Sequence, residues 1–137
     1  MAIARIMNYI LYKIYYGDEL VYVGRTKQEL KQRLRNHFFG GNAMTKKIDI
    51  IQTTWIEYCL CKSEADMNLM EIYLICKYKP RLNKDDKPKD DLTIVIPEPQ
   101  FYHYWEPIID KWKSKQIEHL IDTSPLDYNP DEDFYYY

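Results

Sequence analysis

The chain has 137 residues, 46% of them hydrophobic and 29% charged, the proportions of one ordinary globular domain with a small appendage. That length excludes two large domains, and no run approaches the ~20 consecutive apolar residues of a membrane-spanning helix. The formal net charge of −2 joins two unlike parts: residues 1–83 hold 13 Lys and Arg against 8 Asp and Glu, residues 84–137 hold 6 against 13.

A basic body is therefore followed by an acidic tail. Because a partner feels the local field of a patch more than the total charge, nucleic acid stays open as a partner of the first part. The opening residues, Met1 to Arg5, lack the charged-then-apolar order of a secretory leader, so the expected location is cytoplasmic. Cys59, Cys61 and Cys76 are an odd number without a Cys-x-x-Cys pair, which reads as small buried hydrophobes in a reducing compartment rather than a disulfide framework or zinc site.

In chain order, Tyr9 to Tyr16 and Leu20 to Arg25 are rich in Tyr, Val and Ile around Gly17-Asp18-Glu19, the pattern of a β-hairpin. Thr26-Lys27-Gln28-Glu29 has capping-box spacing, and Leu30, Leu34 and Phe38 follow at helical steps, predicting a helix over 27–38 that ends at Gly40-Gly41. Thr53 to Leu60 reads as a strand. Ser63 to Asp66 caps a second helix that runs to about Lys79 and stops at Pro80. Lys84 to Asp91 has no apolar side chain but proline and reads as a linker. Beyond it, Leu92 to Ile96 is a candidate short strand and Trp105 to Ile121 a helix. The last eleven residues, Asp127 to Tyr137, combine four acids with five aromatics, a composition expected to stay unpacked unless docked. The expected class is α+β: a β-β-α-β-α body over 1–83 with a small three-stranded antiparallel sheet flanked by helices. A charged linker over 84–91 and an acidic, aromatic, mainly helical extension over 92–137 follow.

This topology brings several residues within reach of one another. Tyr12 and Tyr22 stand on paired strands, Arg33 and His37 share one helix face at i, i+4, Glu71 lies midway along the second helix, and Asn83 closes the body. Here the sequence resembles the GIY-YIG nuclease family. The family's first motif, Gly-Ile-Tyr-x-Ile, resembles Ile10-Leu11-Tyr12-Lys13-Ile14, and its second, Tyr-Ile-Gly, resembles Tyr22-Val23-Gly24, followed by Arg25-Thr26. Leu30-x-x-Arg33-Leu34-x-x-His37 is similar to its helix pattern, Glu71 to its metal-binding glutamate, and Pro80-Arg81-Leu82-Asn83 to its terminal Pro-x-x-Asn. The resemblance covers about residues 9–83. It departs at the first motif, which lacks the glycine, and Lys13-Ile14-Tyr15 offers a competing register in which Tyr15 would replace Tyr12.

The resemblance implies a metal-dependent DNA endonuclease of the phage, mobile-element or restriction type. Hydrolysis of a phosphodiester needs an activated water, a cation on the phosphate oxygens and stabilisation of developing charge. The resemblance assigns Glu71 to Mg2+, with Mn2+ as a substitute, Arg33 to the non-bridging oxygens, and Tyr12 with Tyr22 to the attacking water. It assigns His37 to phosphate contact or proton transfer, and Asn83 to orienting the tyrosines or the substrate. Arg25, Lys27, Lys31, Arg35, Lys46 and Lys47 read as a surface that follows the phosphates of double-stranded DNA, and the Gly40 to Ile50 loop as a groove-entering element. The competing reading is a catalytically silent relative that binds DNA or a protein. Trp105, Trp112 and the apolar stripe of the last helix are candidates for a homodimer interface or for packing back on the body, and the acidic tail a candidate to dock on the basic body or recruit a protein. His103 and His119 lack partners at metal-ligand spacing and read as structural or surface residues.

Overall fold

The computed structural model describes residues 8–40, 45–86 and 88–121. The hairpin forms as its alternation predicts: β1 (Tyr9–Tyr16) and β2 (Glu19–Thr26) pair antiparallel. They are joined at Gly17, whose φ of 59° is one that a side-chain-bearing residue enters only with strain. β3 (Thr53–Cys61) pairs with the other edge of β1, which makes β1 the central strand of the body.

The sheet has four strands, not three. A two-residue strand from the extension, β4 (Tyr102–His103), pairs with β3 and gives the order β2-β1-β3-β4. Tyr104 continues the pairing by donating its N–H to the Ile56 carbonyl at 2.8 Å. The predicted strand at Leu92–Ile96 does not form; Leu92 and Ile96 instead pack, with Phe101 after them, against the core between the sheet and the second helix.

Each sheet face buries a different set of side chains, as the two-residue period requires. On one face Ile10, Tyr12, Ile14 and Tyr22 meet α1 (Leu30–Phe39) through Leu30, Leu34 and Phe38, and α3 (Glu106–Ile121) through Ile108, Ile109 and Trp112. On the other, Leu11, Val23 and Cys59 meet Met67, Leu74 and Ile75 of α2 (Glu64–Tyr78). α2 starts where the sequence predicts, with Ser63 Oγ accepting the Asp66 N–H at 3.0 Å. It ends at a left-handed Lys79 followed by Pro80. α1 starts three residues later than predicted. Thr26 is the last residue of β2, opposite Ile10, and its hydroxyl accepts from Gln28 N–H, so the capping box does not form. Strand pairing of a buried threonine outcompetes its use as a helix cap. Part of the predicted linker is a 3-10 helix, Arg81–Asp86.

The extension is fastened to the body on both faces. Trp112 is fully buried, its ring 5.8 Å from that of Phe38 and 6.2 Å from that of Phe39. On the α2 side the buried Lys13 places its ammonium 4.0 Å from the Phe101 ring centre, a cation–π contact that compensates part of its lost hydration. Glu98 accepts from Lys77 at 2.5 Å and from the Tyr78 hydroxyl at 2.9 Å, and these bonds hold its carboxyl below the usual range against the opposing effect of burial. All three cysteines are free, but only Cys59 is buried as expected; Cys61 and Cys76 are half-buried. Among the described residues no helix is long and apolar enough to cross a membrane. The Asp127–Tyr137 tail, the opening residues and positions 41–44 of the Gly40–Ile50 loop lie outside the described residues.

Candidate active site

Tyr12 sits in the middle of β1 directly opposite Gly24 of β2, and Tyr22 stands opposite Ile14, so both rings lie on the α1 face with centres 6.1 Å apart. Gly24 is the residue that makes this arrangement fit. A Cβ there would come within 2.5 Å of the Tyr12 hydroxyl and 2.7 Å of the Tyr22 ring edge, so only glycine leaves the space. The glycine missing from the first motif is replaced by Ile10, fully buried among the core side chains of this face. Tyr15 faces the other way. Its ring stacks on Trp55 at 4.7 Å and its hydroxyl donates to Glu57 at 2.8 Å, far from the α1 helix.

From α1, Arg33 and His37 reach down onto Tyr12. The Tyr12 hydroxyl and His37 Nε2 are 2.6 Å apart, and His37 Nδ1 lies 2.5 Å from the Lys46 carbonyl oxygen. A carbonyl can only accept, so Nδ1 carries the proton, Nε2 presents a lone pair, and Tyr12 donates its hydroxyl to it. Arg33 Nε donates to the same hydroxyl at 3.3 Å, and Arg33 Nη1 donates to the Thr45 hydroxyl at 3.3 Å. His37 is fully buried. Burial, helped by the Arg33 charge and opposed by the Lys46 carbonyl, brings its pKa down to about 4. Burial, and then the neighbouring Tyr22, pushes Tyr12 well above the ordinary phenol range. At neutral pH the pair is thus a neutral phenol bonded to a neutral imidazole.

Glu71 approaches from α2. Its side chain is only 19% exposed, and Arg25 Nε lies 3.3 Å from its Oε1. Arg25 also donates through Nη1 to the Asn68 side-chain oxygen, one turn before Glu71 on the same helix. Glu71 acts electrostatically on both Tyr12 and Arg33, which places the carboxylate and the tyrosine–arginine pair in one field. Among the described residues no three His, Cys, Asp or Glu side chains converge on a point. A single carboxylate, mostly buried and paired with Arg25, is a poor site for zinc but fits Mg2+, which prefers oxygen and keeps several waters beside one or two carboxylates and a substrate phosphate.

Asn83 takes a different position from the others. Buried at the outer edge of β2, it accepts the Val23 N–H at 2.8 Å and donates to the Val23 carbonyl at 2.9 Å. Its side chain thus acts as one residue of a missing neighbour strand, between Tyr22 and Gly24. It fixes the strand that carries the site.

The six predicted basic residues are not one uniform patch. Arg25 is engaged with Glu71 and Asn68, and Lys27 pairs with Glu64 at 3.1 Å. Lys31 stands in the field of Arg35 and of Lys111 of α3, and is held below the ordinary lysine range mainly by burial, then by Arg35. Lys46 contributes its carbonyl to His37, and Lys47 is exposed beside it. Sequence reading missed Thr45, the Lys46 carbonyl, Asn68 and Lys111. None carries a signal in the sequence, because each matters only through a neighbour distant along the chain.

The family model described as the GIY-YIG catalytic domain matches residues 8–85, more than half of the chain. No solved structure matches the chain.

Proposed function

The chain belongs to the GIY-YIG nuclease family, and from that premise we propose that it is a Mg2+-dependent endonuclease hydrolysing phosphodiester bonds of double-stranded DNA, with Mn2+ as a substitute ion. The observation that carries this reading is the Tyr12 hydroxyl held between His37 Nε2 and Arg33 Nε. It is a proton path with a cation at its mouth.

Tyr12 is fully buried and its proton is held more tightly than in a free phenol, so a standing phenolate is not the base. The arrangement supports a relay instead. Arg33 leaves the phenolic oxygen for a non-bridging phosphate oxygen, which it matches in charge and planar geometry. That uncovers the Tyr12 oxygen, which takes a proton from the attacking water as its own proton passes to His37 Nε2. His37, neutral at pH 7 and oriented by the Lys46 carbonyl, is ready to receive it. The approaching phosphate makes the imidazolium easier to form beside Arg33. Tyr22 packs beside both rings, 6.1 Å from that of Tyr12 and 5.0 Å from that of His37, and orients the water. Glu71 would hold the metal ion, which when bound supplies charge neutralisation at the scissile phosphate and leaving oxygen. Asn83 positions the strand. Arg25, Lys27, Lys31, Arg35, Lys46 and Lys47 follow the phosphate backbone and make binding salt-dependent.

Cleavage of supercoiled plasmid with Mg2+ or EDTA, by the wild type beside Arg33→Ala and Glu71→Ala, tests the proposal. Metal-dependent nicking or linearisation lost in both variants is the expected result. Binding without cutting, or activity that survives both substitutions, overturns it in favour of a silent binding module.

A further inference from the structure

We infer that Arg25 is an internal counter-ion that occupies Glu71 until a DNA phosphate draws it away, so that divalent-cation binding and DNA binding at this site are coupled through one side chain. The inference rests on the proposal that Glu71 is the cation ligand, and deepens it by naming what competes for that ligand.

The geometry is specific. Asn68 and Glu71 stand one turn apart on α2, and the Arg25 guanidinium bridges both from the edge of β2, Nε to Glu71 Oε1 at 3.3 Å and Nη1 to the Asn68 oxygen. The two partners differ in freedom. Glu71 is mostly buried, whereas the Arg25 side chain is 46% exposed and stands next to Gly24, on the strand opposite Tyr12. A divalent cation held by the Glu71 carboxylate would meet a guanidinium left in place as a close like charge, and such charges repel strongly in a half-buried site. Arg25 can leave and Glu71 cannot. A phosphate beside the cation gives Arg25 a second anion and removes the conflict, so either ligand raises the affinity for the other by the same factor. An ordinary surface ion pair has no such consequence, since its loss leaves both affinities independent.

The test is calorimetric titration of Ca2+, a divalent cation with the same preference for oxygen ligands, into the full chain with and without a short duplex. Wild type, Arg25→Gln, Arg25→Lys and Glu71→Gln are compared. The expected result is that Arg25→Gln binds Ca2+ about fivefold more tightly than the wild type without DNA, and loses the roughly tenfold enhancement that the duplex gives the wild type. Arg25→Lys, which keeps the charge, should stay near the wild type without DNA. If Glu71→Gln loses the binding but Arg25→Gln is no tighter than the wild type, or Arg25→Lys behaves as Arg25→Gln does, the counter-ion inference is wrong while Glu71 stands as the ligand. If Glu71→Gln binds Ca2+ as the wild type does, the ion is elsewhere and the metal assignment falls with it.

Discussion

The hydroxyl of Tyr12 lies 2.6 Å from Nε2 of His37, and the other nitrogen of that ring lies 2.5 Å from the Lys46 carbonyl. Residues from β1, α1 and the loop after it thus form one line of hydrogen bonds whose direction is set by the carbonyl at its end. The arrangement makes His37 an acceptor at the one atom where a tyrosine proton can arrive.

Replacing Tyr12 by Phe keeps the ring and removes the relay. Cleavage should fall at least about 100-fold, within the range for loss of a positioned acid–base group, while the fold persists with a loss of about 1–3 kcal/mol for the buried Nε2 left without its donor. Single-turnover cleavage and urea unfolding separate the two effects. Activity near that of the wild type would remove Tyr12 from the chemistry.

Buried His37 also sets a pH dependence. Its folded pKa, about 4, lies below the unfolded value near 6.5. Between those values the unfolded chain binds the extra proton, so stability rises with pH. The contribution is complete above pH 6.5 and is lost as pH falls towards 4, on the order of 3 kcal/mol in all. Unfolding free energies at pH 7 and pH 4.5 should show this slope, and His37→Gln should flatten it. An unchanged slope in the variant would mean that other groups carry the dependence.

Asn83→Ala removes both bonds to Val23 and exposes the edge of β2. A loss of about 2–3 kcal/mol is expected from two buried backbone groups without partners. Amide exchange at Val23 should accelerate more than at Leu11 in the central strand. Equal acceleration at both would mean that Asn83 acts on global stability alone.

Gly24→Ala places a methyl group against the Tyr12 hydroxyl and the Tyr22 ring. Overpacking of this kind costs about 1–3 kcal/mol, and the displaced tyrosine breaks the bond to His37. Cleavage should fall further than the stability loss explains, measured below the melting temperature of the variant. A fully active variant would show that Tyr12 and Tyr22 can move aside freely.

Trp112→Ala tests the standing of the extension. Emptying a fully buried tryptophan site against Phe38 and Phe39 costs about 3–5 kcal/mol, and truncation near Asp91 should cost more. Thermal melts should therefore drop steeply. A truncated chain that melts like the full one would show that the body folds alone.

The hairpin and α2 were legible because their signals are local. Alternating β-branched and aromatic residues suit only a strand pair, and Ser63 followed by an apolar run caps only a helix. Tyr12, Tyr22, Arg33, His37, Glu71 and Asn83 are nameable as candidates through the resemblance of their motifs to the family's, but not what each touches. The start of α1 was misread because Thr26 can cap a helix or end a strand, and its opposition to Ile10 on β1 decided the matter. Tyr102–His103 gave no sign of being a strand, since two exposed residues have no periodicity. Only the free edge of β3 makes them one.

The sequence by itself determined the β-β-α-β-α order and the two faces of the hairpin, which follow from periodicity along the chain, and its motifs carried the resemblance to the family. Only the tertiary structure decided that His37 is buried as a proton acceptor, that Asn83 completes a strand edge, that Arg25 occupies Glu71 and that α3 belongs to the core of the α1 face. Each of these joins residues far apart in sequence. Hydrogen-bond direction, burial and charge pairing arise from proximity in space, which no local pattern encodes.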